Sequence, residues 1–203
     1  MKASDLFVRC LEAEGVERIF GVPGEENADF MISLMDSNID FVLCRHEQGA
    51  AFAADAHGRL TGKAGVCLGT LGPGVTNLLT GIADANMDRA PVVAIIGQGS
   101  TKRQHKESHQ IMDAIGMCKP ISKWAQAVLA SENITEIVRK AFKIAETEKP
   151  GLTVIELPED VAKEEIEDTP MPTTKARRPG ADHKAVSMAA NLIANAKNPI
   201  ILA

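Results

Sequence analysis

Short apolar runs alternate along this chain with longer amphipathic stretches, and that rhythm constrains the fold more than any other feature. The runs are Arg18 to Gly21, Ile39 to Cys44, Gly65 to Thr70, Val92 to Ile96 and Leu152 to Leu157, each four to six residues long. That length suits strands rather than helices. The stretches between them carry helical spacing. Ser4 is placed to cap a helix through about Glu14, which Gly15 would end. Further helices are predicted from the Val22-Pro23-Gly24 loop to about Met35, from His46 to Leu60, from Val75 to Asp88 and from Ser131 to Glu148. In the last of these Thr135, Val138, Phe142 and Ala145 fall on one face. Pro158 is expected to stop the final strand. Strands alternating with helices predict an α/β fold: a doubly wound, mostly parallel sheet flanked by helices on both faces.

Charge and composition exclude several function classes. The 203 residues carry a net charge of −5 with no Lys/Arg stripe, which is not the footprint of a nucleic-acid binder. Six Phe, one Trp and no Tyr supply no platform for stacking bases. The longest apolar run, Pro91 to Ile96, is far too short to span a bilayer. Met1 to Asp5 is not followed by the apolar segment of a secretory signal, so a cytoplasmic location without membrane partners is expected. Cys10, Cys44, Cys67 and Cys118 form no CxxC pair and have no metal-ligand spacing, and no metal-binding residue is predicted. Cys44 and Cys67 read as small buried hydrophobes within strands.

Composition changes after Val161. Residues 1–162 are predicted to form one domain and 163–182 a linker, with Pro170, Pro172, Pro179 and the basic run Lys175 to Arg178. In an otherwise acidic chain that run reads as solvated linker rather than as a binding patch. Residues 183–203 offer a helix from Lys184 to Ala196 and an apolar strand opening at Asn198 to Ala203. A helix and a strand cannot bury a core, so they read as the truncated start of a further domain in a longer protein.

In a doubly wound sheet, ligands gather at the carboxyl ends of the strands. Four segments fall there: Gly21 to Glu25, Arg45 to Gln48, Thr70 to Asn77, and Gly97-Gln98-Gly99. Three are glycine-rich turns. No G-x-G-x-x-G occurs, and Gly58 to Ala64 lacks the spacing of a phosphate-binding Walker loop, which argues against a nucleotide-binding module. Gly72-Pro73-Gly74 before a helix could hold an anion at the helix N-terminus, but such turns are also common as plain structure. Glu47 begins a helix among Ala50, Ala51, Ala53 and Ala54. A carboxyl packed that closely is desolvated, tends to keep a proton and can donate a strong hydrogen bond. An acid in the first helical turn can also simply complement the helix dipole. Position alone leaves both readings open.

The motifs in sequence order decide between them. Gly-Val-Pro-Gly-Glu from Gly21, Arg-His-Glu-Gln-Gly-Ala-Ala-Phe from Arg45, Gly-Arg-Leu-Thr-Gly-Lys-Ala-Gly-Val from Gly58, Thr-Leu-Gly-Pro-Gly-Val-Thr-Asn from Thr70, and Asp-Arg-Ala-Pro-Val-Val-Ala-Ile-Ile-Gly-Gln from Asp88 follow one another here. Residues 3 to 160 thereby resemble the pyrimidine-binding domain of the acetolactate synthase family. That family belongs to a larger group of thiamine diphosphate enzymes that includes pyruvate oxidases and benzoylformate-type decarboxylases. The tail from Asn198 is similar to the opening strand of the family's middle domain.

The resemblance implies a cofactor, a reaction and a set of residues. Glu47 would hydrogen-bond the pyrimidine N1′ of thiamine diphosphate, favouring the tautomer that deprotonates the thiazolium for attack on a 2-keto acid. Pro23 and Gly24 would line the cofactor cleft, and Thr70, Pro73, Gly74 and Asn77 would surround the pyrimidine. Gln98 would face reacting groups near the thiazolium. Lys106 to Asp113 replaces the Asp-Ala-Phe-Gln-Glu pattern of the flavin-containing synthases and looks like the catabolic, flavin-independent type. His109 and Gln110 would then lie near bound substrate, and FAD is not expected. His109 also reads as a plain polar residue at a helix start.

The implied function is condensation of two pyruvates to 2-acetolactate with loss of carbon dioxide. The alternatives are another thiamine diphosphate-dependent 2-keto acid decarboxylase, or a non-catalytic domain of the same fold. The family holds the diphosphate and Mg2+ through a Gly-Asp-Gly motif in a separate domain, and none occurs in these residues. Its sites form between the pyrimidine domain of one subunit and the diphosphate domain of another. A homodimer or tetramer is therefore expected, and these residues alone should bind cofactor weakly and catalyse nothing.

Overall fold

The computed structural model describes residues 1–174 and 180–202. In chain order the elements are α1 (Ala3–Ala13), β1 (Arg18–Gly21), α2 (Ala28–Met35), β2 (Asp40–Leu43), α3 (Glu47–Thr61), β3 (Gly65–Gly69) and α4 (Pro73–Met87). There follow β4 (Val92–Gln98), α5 (Ala114–Cys118), β5 (Trp124–Ala127), α6 (Ile134–Glu146), β6 (Leu152–Pro158), α7 (Glu159–Ala162) and α8 (His183–Asn195). The six strands pair in the order β2-β1-β3-β4-β6-β5, and every pair is parallel. The chain steps outward from β1 to β2 on one side and continues through β3 on the other. The switch point, where crevices for ligands open, therefore lies between β1 and β3.

Two-sided burial explains why the strands read as unbroken apolar runs. Successive side chains point to opposite faces. Val66, Leu68, Val93, Ile95 and Ile155 join Leu6, Phe7 and Leu11 of α1, Phe30 of α2 and Phe142 of α6 on one face. Cys67, Val92, Ala94, Ile96 and Val154 join Ala50 and Ala54 of α3 with Val75, Leu78 and Ile82 of α4 on the other. The face predicted for α6 is the buried one, with Thr135, Val138, Phe142 and Ala145 all inside.

Several local expectations differ from the structure. Lys2, not Ser4, caps α1: its backbone N–H donates to Asp5 Oδ2 at 3.0 Å. Ser4 is buried instead and accepts from Ser33 Oγ at 2.8 Å. α4 begins at Pro73, because proline needs no donor in the first helical turn. β4 continues to Gln98, and Pro158 ends β6 from within it, opposite Gln98. Cys44 lies just past β2 and is only half-buried, since β2 is an edge strand with Leu43 69% exposed. β5 has no counterpart among the predicted strands. Trp-Ala-Gln-Ala has little apolar periodicity, and it is a strand only because β6 lies beside it.

The predicted linker is tied down at its start. Glu164 O accepts from Ala3 N at 2.8 Å, and Ile166 N donates to Met1 O at 2.9 Å. The basic run Lys175 to Arg178, with Pro179, lies outside the described residues. Residues 198–202 form no strand, for want of a neighbouring strand to pair with, and Ala203 lies outside the described residues.

Candidate functional site

The ends of β1, β2 and β3 bring three turns together. Gly24 needs its lack of side chain, because a Cβ there would fall 2.5 Å from Thr70 Oγ1. Thr70 Oγ1 in turn donates to Glu26 Oε2 at 3.1 Å, and Asn27 Nδ2 donates to Gly69 O at 3.2 Å. The loop after β1 is thereby fastened to the loop after β3. Pro23 stays exposed at its tip.

Glu47 is the first residue of α3, and His46 caps that helix by accepting from Gln48 N at Nδ1, 3.1 Å. Glu47 is 8% exposed. Its Oε2 accepts from Asn77 Nδ2 at 2.9 Å. Asn77 reaches it because α4 starts from a left-handed turn at Gly72 (φ +57°) and packs tightly along α3. At the crossing a Cβ on Gly81 would meet Ala51 Cβ at 2.6 Å. Gly74, beneath the carboxyl, would place a Cβ 3.6 Å from Glu47 Oε1 and 3.1 Å from Thr70 Cγ2. A flat heteroaromatic ring needs bare backbone along one side and a hydrogen-bonding carboxyl at its edge. Here Gly24 and Gly74 let Thr70 pack directly on the backbone, and the Glu47 carboxyl, with Oε2 engaged by Asn77, is the hydrogen-bonding group beside them, a donor set compatible with a nitrogen heterocycle.

Gln98 is placed differently. It is 3% exposed, at the end of β4. Its Nε2 donates to Glu156 Oε2 and to Met112 O, both at 3.1 Å, and its Oε1 accepts from Gly99 N at 3.0 Å. With Glu156, Asp113 and residues 104–107 it lines a cavity of about 510 Å³ under the 99–113 loop. Burial pushes the Glu156 carboxyl up to about 7 against the pull of the Gln98 hydrogen bond, and Asp113 adds to the rise.

His109 and Gln110 sit exposed on that loop, and neither starts a helix. Gln110 adopts a left-handed conformation (φ 55°) that sets its Cβ against the bare Cα of Gly72. The segment predicted to face substrate therefore returns to the turn that opens α4. Its first residues are gripped by α7: Asp160 accepts from the Ser100 and Thr101 hydroxyls, and Arg103 pairs with Glu159 at 2.6 Å.

Neither Glu26 nor Glu156 is singled out by the sequence motifs, and Asp113 enters there only as the end of the Lys106 to Asp113 segment; the signal for Glu156 is an acid inside the apolar run Leu152 to Leu157. Burial raises the Cys10 and Cys67 thiols to about 12 and that of Cys118 to about 11. Among the described residues no group of three or more His, Cys, Asp or Glu is placed to hold a metal ion. No helix among them is long and apolar enough to cross a membrane.

The chain is similar to known proteins along its whole length. Residues 1–117 match the family model described as thiamine pyrophosphate enzyme, N-terminal TPP binding domain. The chain is 44% identical over 200 residues to the catabolic acetolactate synthase of Raoultella terrigena, covering 98% of this chain and 36% of that protein. It is 45% identical over 211 residues to a probable acetolactate synthase large subunit of Methanocaldococcus jannaschii, covering 100% and 36%. Against the acetolactate synthase isozyme 2 large subunit of Escherichia coli K12 the figures are 37% over 201 residues, 99% and 37%. The chain thus spans about a third of the length of the curated relatives it matches.

Proposed function

The chain belongs to the thiamine pyrophosphate enzyme family through its N-terminal TPP binding domain, and from that premise we propose that it forms the pyrimidine-binding part of an acetolactate synthase. The reaction is condensation of two pyruvates with loss of carbon dioxide. The observation that carries the cofactor half of this proposal is the buried Glu47 carboxyl at the start of α3, held by Asn77 above Gly74. When bound, thiamine diphosphate supplies the nucleophilic carbon and the electron sink for decarboxylation.

The protein's own residues bind and orient. Glu47 would offer Oε1 to the ring nitrogen while Asn77 fixes Oε2. Gly24, Thr70, Pro73 and Gly74 would wall the ring, and Pro23 would line the mouth. His109 and Gln110 face the keto acid, and Gln98 acts behind them. Mg2+ and the diphosphate are held by another part of the protein.

Three features support the finer points. The His-Gln-Ile-Met-Asp sequence at 109–113 favours the flavin-independent type, as does the likeness to a catabolic synthase. Exposed Leu43, Phe52 and Leu60 favour assembly into a homodimer or tetramer. A net charge of −5 without a basic stripe favours a protein working free of nucleic acid, and residues 1–5 running into no secretory apolar segment favour the cytoplasm.

The test is product analysis on the full-length protein with pyruvate, thiamine diphosphate and Mg2+. Acetolactate, read as acetoin after acid, is expected. Acetaldehyde alone would move the protein to a decarboxylase, and binding without turnover of any 2-keto acid would leave a non-catalytic domain.

A further inference from the structure

Glu156 is not among the residues assigned to the cofactor, yet it is an acid held 4% exposed in β6, an interior strand between β4 and the edge strand β5. A buried carboxyl is costly unless hydrogen bonds satisfy it. Its partner is Gln98, 58 residues away in sequence and next to it only because β4 and β6 pair in parallel. Gln98 spends its remaining hydrogen-bonding groups on the two ends of one loop. Its Oε1 takes the Gly99 N–H where the loop leaves β4, and its Nε2 also reaches Met112 O where the loop arrives at α5. The loop between these points carries His109 and Gln110, and Gln110 packs on Gly72 in the cofactor turn.

We propose that Glu156 is a positioning residue: its carboxylate fixes the Gln98 amide, Gln98 closes both ends of the 99–112 loop, and the loop so closed presents His109 and Gln110 to the keto acid. An amide side chain can rotate to swap its oxygen and nitrogen. Met112 O and Gly99 N–H already call for nitrogen on one side and oxygen on the other, and Glu156 Oε2 adds a second acceptor on the nitrogen side that ties the amide to β6. Without that acceptor the amide is bonded only to the loop it closes, and the closed loop loses its anchor to β6. The link to pyruvate rests on the reaction proposed above; the clasp itself does not.

Two readouts on the full-length protein separate them. Hydrogen exchange at the amides of Arg103, Lys106, Ser108 and Ile111, all bonded within the loop, reports closure whatever the enzyme does. Steady-state kinetics with pyruvate report the consequence. In Glu156→Leu, exchange at these amides should rise about ten-fold. The KM for pyruvate should rise about ten-fold, the size of one lost hydrogen bond to a charged group, with kcat changed less. Glu156→Gln keeps an acceptor oxygen at the same reach and should restore both to within about three-fold of wild type.

Thermal stability should not fall in Glu156→Leu, because a buried acid is removed. A residue needed only to hold the fold would behave in the opposite way. If Glu156→Leu does not fold, Gln98→Leu cuts the same clasp from the other side and should loosen the same amides. Unchanged loop exchange in a folded variant overturns the clasp while leaving the reaction standing. Loosened amides with an unchanged KM overturn the positioning role. Absence of acetolactate from the wild type overturns the reaction, and loop exchange then decides the clasp alone.

Discussion

Asn77 Nδ2 donates to Glu47 Oε2 across 2.9 Å and joins the start of α4 to the first residue of α3. One oxygen of a buried carboxyl is thereby spoken for, and the rotation of the group is set before any ligand arrives. Replacing Glu47 by Gln preserves an oxygen for Asn77 but removes the ionisable proton. Turnover of the full-length protein should drop by about 10²–10⁴, the range for losing a positioned proton-transfer group. The thermal midpoint should barely move. A loss of less than about ten-fold would remove Glu47 from the chemistry.

Asn77→Ala attacks the same bond from the other end. It strands Glu47 Oε2 in a buried place, which costs about 1–3 kcal/mol. In a domain of this size that lowers the thermal midpoint by roughly 2–4 °C per kcal/mol. Turnover should also fall about ten-fold as the carboxyl loses its orientation. Calorimetry together with steady-state assay would show whether both effects appear.

The approach of α3 and α4 that makes this bond possible depends on Gly81. A Cβ there would lie 2.6 Å from Ala51 Cβ, so Gly81→Ala forces the helices apart and should cost about 1–3 kcal/mol despite the better helix propensity of alanine. Adding Ala51→Gly removes this contact, the shortest at Gly81, and leaves the approaches to Gln48 O and Phe52 N at 3.2 Å. The double variant should recover part of the denaturant midpoint, and a purely additive loss would mean that the two residues are not in contact.

Glu156 makes the fold sensitive to pH. Its carboxyl titrates near 7 in the folded chain against an ordinary value of 4.5, so the native state binds more protons than the unfolded one between those values. Its contribution therefore favours the fold at low pH and is lost as pH rises from about 4.5 to about 7, by up to ~3 kcal/mol. The ionisable groups around it are Asp113 and Cys118 at α5, and His105, Lys106 and Glu107 across the cavity. Glu156→Gln removes this dependence. Urea denaturation should show the variant gaining on wild type between pH 5 and pH 8, and an equal difference at both pH values would contradict the shift.

Local chain chemistry marks the strands and the turns at their ends, while only the family resemblance carried by the ordered motifs links those turns to a cofactor. The apolar runs are unbroken because both faces of the sheet are covered, so they mark β1, β3, β4 and β6 directly. Parallel strands put every βα turn at the same edge, so the sequence alone groups Gly24, Glu47, Thr70 and Gly74. Their physical requirements are short-range: bare backbone at a turn, a carboxyl at a helix start.

What the tertiary structure decided lies between residues far apart in sequence. Gln98 reads as an open turn residue until β4 is seen to run through it and to carry it against β6. Glu156 reads as a lone acid in an apolar strand until the same pairing gives it a partner. Trp124 to Ala127 has no strand signal of its own and becomes one through hydrogen bonds to β6. Periodicity and turn chemistry are properties of neighbouring residues and survive in the sequence. A hydrogen bond across 58 positions exists only once loop closure has been completed by the sheet, and nothing in either segment alone encodes it.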